Sequence, residues 1–197
     1  AFSQAVITNP DRPTAKNAGR TIGLKEIYRI TDESGEFFFK SPRSLKEGPD
    51  GALYVHDSEQ VLRFDENGTF VRNFFKKGQG PGETTMSFGI FTADRGLCLQ
   101  SISPPKLIWF DVSGKMIEEL PVRFKERGTP TLQAIVGGQY YFSHSMFPQI
   151  SGEPQYVDSP QSFLSWTGRD EEMKRLGEFP IRSYVIAASG GGGGMMT

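Results

Sequence analysis

Asp57, Ser101 and His144 supply the three groups that a nucleophilic hydrolase combines: an orienting carboxylate, a hydroxyl nucleophile and an imidazole base. That chemistry needs nucleophile and base within hydrogen-bond reach of each other. The same carboxylate and imidazole, with His56 and Asp158, are ligand types for a divalent cation. Calcium asks for about six oxygens and zinc for about three protein ligands. Two histidines and one cysteine give no metal-type Cys/His spacing. Cys98 lies in the apolar stretch Gly96-Leu97-Cys98-Leu99 and reads as a small buried hydrophobe. Gly78-x-Gly80-x-Gly82 has the look of a phosphate-cradling loop. Such loops need a strand before, a helix after and, in the P-loop, a closing Lys-Ser/Thr, whereas Pro81 interrupts this one and Glu83 follows it. It therefore reads as a turn needing several positive φ angles.

Whether any of these groups meet depends on the elements that carry them, and those elements repeat. Gly51-Ala52-Leu53-Tyr54-Val55-His56-Asp57, Val61-Leu62-Arg63-Phe64-Asp65 and Asn67-Gly68-Thr69-Phe70-Val71 form a first unit. Gly96 to Ser101, Leu107-Ile108-Trp109-Phe110-Asp111 and Ser113-Gly114-Lys115-Met116-Ile117 form a second, with the Phe-Asp pair returning 46 residues on. Gly138-Gln139-Tyr140-Tyr141-Phe142, Phe163-Leu164-Ser165-Trp166 and Thr167-Gly168-Arg169-Asp170 form a weaker third, with roughly ten extra residues before its third strand. Apolar and polar residues alternate within each segment, and Asp-Gly, Asn-Gly and Gly-Gly turns join them. No segment keeps a helical period over three turns, and Asp170 to Leu176 reads as a hairpin leading to an outer strand. Four short strands per period of about 40–50 residues predict an all-β chain, a partial β-propeller of about three antiparallel four-stranded blades plus flanking strands, Ile22 to Ile30 and Ile181 to Ala187.

The run Ser41-Pro42-Arg43-Ser44-Leu45, Gly48-Pro49-Asp50-Gly51, Leu53-Tyr54-Val55-x-Asp57 and Phe64-Asp65-x-x-Gly68-x-Phe70 resembles the bacterial NHL-type six-bladed propellers. Lys76-Lys77-Gly78-Gln79-Gly80-Pro81-Gly82-Glu83 resembles their inter-blade linker, although Thr84 and Thr85 stand where an aromatic or apolar residue is common. The resemblance spans residues 37–130 closely and 131–180 loosely. It implies a six-bladed ring, which three units do not close, so the chain reads as a truncated product, a fragment or half of an assembly. Open blade faces are expected to be apolar and to favour self-association or docking of the remaining blades.

In a propeller blade the turn between strands two and three shares one face with the inter-blade linkers. His56 and Asp57, Gln100 and Ser101, and His144 then fall on that face, with Asp57, Ser101 and His144 at equivalent positions of successive blades. Equivalent positions of neighbouring blades lie too far apart for a triad. Asp57 reads instead as the cap of its own turn. Propeller lactonases and lyases hold a divalent cation along the channel, but Asp57, His144, His56 and Asp158 make no convincing set here. The insertion from Ser145 to Gln161, with Tyr156 and Asp158, is the candidate binding loop or a tolerated surface insertion.

The chain divides into a polar segment (1–21), the propeller portion (22–188) and a glycine-rich tail (189–197). Ala1-Phe2-Ser3-Gln4-Ala5 fits the end of a secretory signal and equally an ordinary terminus, and the former places the protein in a secreted or periplasmic setting. A net charge of −1 provides no field for nucleic acid, and no apolar run reaches transmembrane length. The function expected is an extracytoplasmic binding or interaction module for a protein, small molecule or glycan, with no catalytic set and no cofactor evident. The alternative is a metal-assisted, lactonase-like hydrolase or lyase.

Overall fold

Strand boundaries follow turn chemistry. The computed structural model describes residues 23–26, 28–32, 35–145, 155–170, 172–186 and 194–196. The signal-like residues 1–5, the polar stretch 8–21, the middle of the insertion (146–154) and most of the tail lie outside the described residues. The first sheet runs β1 (Pro42–Glu47), β2 (Leu53–Asp57), β3 (Gln60–Phe64) and β4 (Phe70–Asn73). The second runs β5 (Met86–Ala93), β6 (Gly96–Ser103), β7 (Pro105–Phe110) and β8 (Met116–Pro121). The third contains β9 (Thr131–Val136), β10 (Gln139–Ser145), β11 (Gln155–Trp166), β12 (Lys174–Ile186) and β13 (Gly194–Met196). Within each sheet the strands follow chain order, and every neighbouring pair is antiparallel. The first strands of successive sheets approach one another, β1 to β5 and β5 to β9. The molecule is all-β, a partial propeller of three blades.

The repeated Phe-Asp pair has a two-part cause. Phe64 and Phe110 are buried. Asp65 Oδ1 accepts hydrogen bonds from the Asn67 and Thr69 amides at 2.9 and 2.8 Å. Asp111 Oδ1 does the same for the Ser113 and Lys115 amides at 2.9 and 3.0 Å. The aromatic anchors the sheet and the carboxylate closes its outer hairpin. In the third blade Trp166-Thr167 replaces the pair, and Thr167 Oγ1 donates to Asp170 Oδ2 at 2.7 Å. Gly96 is obligatory in the second blade: its φ is +126°, and a Cβ there would stand 2.2 Å from the Phe110 carbonyl oxygen.

Period-2 alternation sends successive side chains to opposite faces, so the middle blade is buried on both sides. Leu97 and Leu99 pack with Tyr54, Phe74 and Phe110 between the first and second blades. Cys98 points the other way, packing with Trp109, Tyr140, Phe142 and Trp166 between the second and third. Burial pushes the Cys98 thiol far up, so it behaves as an inert core hydrophobe.

The two outer faces differ. On the first blade, Val55, Leu62 and Phe64 are covered by the chain's own preceding segment through Phe37, with Ile30 and Phe39 beside it. The Phe37 and Phe64 rings meet edge-on at 5.0 Å. The described residues of 22–30 form no strand, and Ile30 instead packs into this cover. On the third blade Phe163 and Phe179 pair at 5.3 Å but remain 39% and 42% exposed.

Two further expectations are adjusted. The trailing strand at Ile181 is the end of the long β12, and residues 155–161 of the insertion are the first half of β11, paired with β12 from Gln155↔Val185 to Gln161↔Phe179. β10 pairs with β11 only from Gln161 onward, so the two strands continue past it as a ribbon. The tail, unlike a blade in composition, contributes Gly194–Met196 as a fifth strand on β12. The outer edge of β12 offers backbone donors and acceptors that any extended residue can meet, glycine included.

Candidate functional site

The polar residues marked out by the sequence sit at the β2–β3, β6–β7 and β10 ends of the blades, and most are turned inward. His56, Asp57, Gln100, Ser101 and His144 are all buried. Their strand pairing gives a common register, since Leu53 faces Phe64, Leu97 faces Phe110 and Tyr140 faces Trp166. Counted from those pairs, Asp57, Ser101 and His144 occupy one position, and His56, Gln100 and Ser143 the position before it.

Each position has its own task. The first member of each pair in blades one and two reaches forward to the next blade. His56 Nε2 lies 2.8 Å from Ser87 Oγ on β5. Gln100 Nε2 donates to the Pro130 carbonyl at 2.7 Å, and its Oε1 accepts from the Leu132 amide at 2.9 Å. Ser143 Oγ instead accepts from Gln133 Nε2 of its own sheet at 2.8 Å. The second member holds the segment leading into its own blade. Asp57 accepts from the Lys40 amide at 2.7 Å and from the Ser41 amide. Ser101 Oγ lies 2.7 Å from the Thr84 hydroxyl and 2.6 Å from the Pro104 carbonyl. His144 Nε2 lies 2.9 Å from the Arg127 carbonyl, which can only accept, so that nitrogen carries the proton. Its Nδ1 is 3.5 Å from Glu126, and its ring meets Phe124 edge-on at 4.6 Å.

Asp57, Ser101 and His144 therefore belong to three separate networks, and none bonds another. Among the described residues no group of three or more His, Cys, Asp or Glu side chains converges to hold a metal ion. Burial, followed by the charge of Arg43, pulls His56 below its usual range and keeps the imidazole neutral. Tyr156 and Asp158 lie apart on β11, both exposed, and Asp158 pairs with Arg182 at 3.0 Å.

The glycine linker is filled from within. Glu83 Oε2 accepts from the Gly80 amide at 3.0 Å, and a Cβ at Gly78 would stand 2.0 Å from that oxygen. The carboxylate thus occupies the concavity that an anion would use. Lys106, buried, bridges the Gly80 carbonyl and Glu119, each at 2.9 Å, and Glu119 accepts from the Gly82 amide at 2.8 Å.

The opposite end of the strands presents a different surface. Between the second and third blades lies a cleft of about 860 Å³. The β5–β6 turn brings in Arg95, whose guanidinium stacks on the Trp109 ring 3.8 Å from its centroid. Arg95 Nη1 pairs with Glu118 of β8 at 2.6 Å, and its Nη2 donates to the Tyr140 hydroxyl at 3.1 Å. Trp109 Nε1 donates to the same oxygen at 2.9 Å. Burial raises the Tyr140 phenol above its usual range, so it stays protonated. A second cleft of about 760 Å³ beside the 122–126 segment is lined by Arg123 and by two ion pairs, Arg175 with Glu126 and Lys125 with Glu172.

No motif or spacing in the sequence points to this constellation. Asp94-Arg95-Gly96 reads only as a turn, and Glu118 and Tyr140 are distant in sequence. The one available hint is chemical: Trp and Tyr in a core need partners for their polar tips. No protein-family model matches the chain, and no curated protein matches it in sequence. The class is defined by the fold alone, an all-β partial propeller.

Proposed function

We propose that this chain is a non-catalytic ligand-binding propeller module of the bacterial NHL six-bladed type, working outside the cytoplasm. The observation that carries the reading is the Arg95–Trp109–Tyr140–Glu118 network bordering the open cleft between blades two and three. A rigid scaffold with a few oriented polar groups above an apolar wall is the usual form of a small-ligand site. The division of labour supports it, because the hydroxyl, carboxylate and imidazole groups suited to catalysis are spent in tethers between strands and linkers.

The test is a thermal-shift screen of the purified chain against small molecules and glycans, run beside turnover assays on lactones. The expected result is stabilisation by a ligand, lost in Arg95→Ala, with no turnover. Lactone hydrolysis abolished by a chelator would instead establish the metal-assisted reading. Cell fractionation checks the compartment: recovery in the cytoplasm alone contradicts the extracytoplasmic part.

A further inference from the structure

The hydrogen-bond inventory at Tyr140 leaves one donor over. Arg95 and Trp109 side chains can only donate, so the Tyr140 oxygen accepts both of their bonds. Its own O–H has no acceptor among the described residues. Tyr140 lines the cleft, where a ligand oxygen can accept the proton that no side chain takes.

Charge then narrows the ligand. Two cationic side chains, Arg95 and Arg169, and two acidic ones, Asp94 and Glu118, line the cleft. An anion placed against Tyr140 would meet the Glu118 carboxylate that already holds Arg95, and a cation would meet the guanidinium. A neutral group that both accepts and donates satisfies Tyr140 and Glu118 together, and a sugar hydroxyl is such a group. Beside these polar groups stand Leu120 and Ile135, both half-buried. They provide an apolar wall for the C–H face of a sugar ring. The volume, about 860 Å³, falls within the span of small-ligand pockets.

We infer that the cleft between blades two and three binds a neutral glycan, with Tyr140 donating to a sugar oxygen, Glu118 accepting from a sugar hydroxyl and Leu120 contacting the ring. This rests on the binding-module reading and names its ligand class. The Gly137-Gly138 turn, where added Cβ atoms would meet nothing within 4 Å, leaves the mouth of the cleft open for a chain of sugars.

The experiment titrates the full chain, by NMR or calorimetry, with cellotriose, maltotriose and triacetylchitotriose. Trigalacturonate and the chitosan trimer serve as anionic and cationic counterparts. At least one neutral trimer is expected to bind, with both charged trimers about tenfold weaker or more. Tyr140→Phe is expected to weaken binding about tenfold, as one lost hydrogen bond in a desolvated site does. Because Tyr140 also supports Trp109, the partly exposed Glu118→Ala provides a second variant that keeps the core and should weaken binding comparably. No binding of any neutral trimer at millimolar concentration overturns the inference, and so does binding unaffected by Glu118→Ala. A charged trimer binding tightest, with loss in Arg95→Ala, also overturns the neutral-glycan assignment but leaves the binding reading standing. Turnover of a bound trimer overturns the binding reading itself.

Discussion

The two ends of the blades use polar residues in opposite ways. At the end holding His56, Asp57, Gln100, Ser101 and His144, the polar groups face inward and each is tied to backbone or hydroxyl partners of the same chain, with His56 Nδ1 left over among the described residues. At the other end Arg95, Glu118 and Tyr140 are joined to one another yet border an open cleft, and Tyr140 keeps an uncommitted proton. Residue types alone would assign the chemistry to the first end. Partner accounting reverses that: a carboxylate that caps two amides is architecture, whereas a hydroxyl with a spare proton beside a cleft is available to a ligand.

The contrast breaks most visibly at Asp57. Asp57→Ala strips the Lys40 and Ser41 amides of their acceptor, and charge-assisted hydrogen bonds are the strong ones. A loss of about 3 kcal/mol is expected, read as a lower urea midpoint, with Asp57→Asn recovering part of it. An unchanged midpoint would mean that the tether carries nothing.

Lys106→Ala should follow closely. It leaves Glu119 and the Gly80 carbonyl without their partner, but Glu119 keeps some contact with water. About 2 kcal/mol is expected, below the full penalty of a severed buried pair. Lys106→Met should lose less than Lys106→Ala, because the apolar stem is retained.

Arg95→Ala should cost the fold about 1 kcal/mol or less, since the lost cation–π contact and ion pair are both partly exposed. Its main effect should fall on ligand affinity. A large stability loss with unchanged affinity would place the cleft among the structural elements and erase the contrast.

The smallest effect concerns pH. His56 is held below its ordinary value of 6.5 by burial and by Arg43, so the unfolded chain takes up a proton that the folded chain refuses. The stability that this neutral imidazole supports is complete above about pH 6.5 and declines as pH falls toward the lowered folded value. Urea midpoints at pH 7.5 and 5.5 should differ more for the unaltered protein than for His56→Gln. Equal differences would show that His56 is not the titrating group.

Much of the scaffold was legible because its signals are local. Phe64-Asp65 and Phe110-Asp111 each place a core ring next to a turn-closing carboxylate, and Gly96 marks a backbone approach no other residue allows. The third blade was harder to read. Its β11 begins at Gln155, well before the apolar Phe163-Leu164 run, because pairing with β12 rather than burial sustains it. The strand at Gly194–Met196 is likewise held by an open edge and leaves no trace in composition. The register of Asp57, Ser101 and His144 could be counted from the repeats, but their inward orientation could not. Partners such as Thr84 and Arg127 lie on linkers whose path only the folded chain defines. Arg95 stayed hidden for the same reason: its partners come from β7, β8 and β10, brought together by packing between blades.

Hydrogen–deuterium exchange with a saturating neutral trisaccharide tests the division between the two ends most directly. The predicted result is added protection at residues 92–96 and 135–140 around Arg95 and Tyr140, with none at 56–57 or 100–101. Protection centred on the tether end, with the cleft unchanged, would contradict the account.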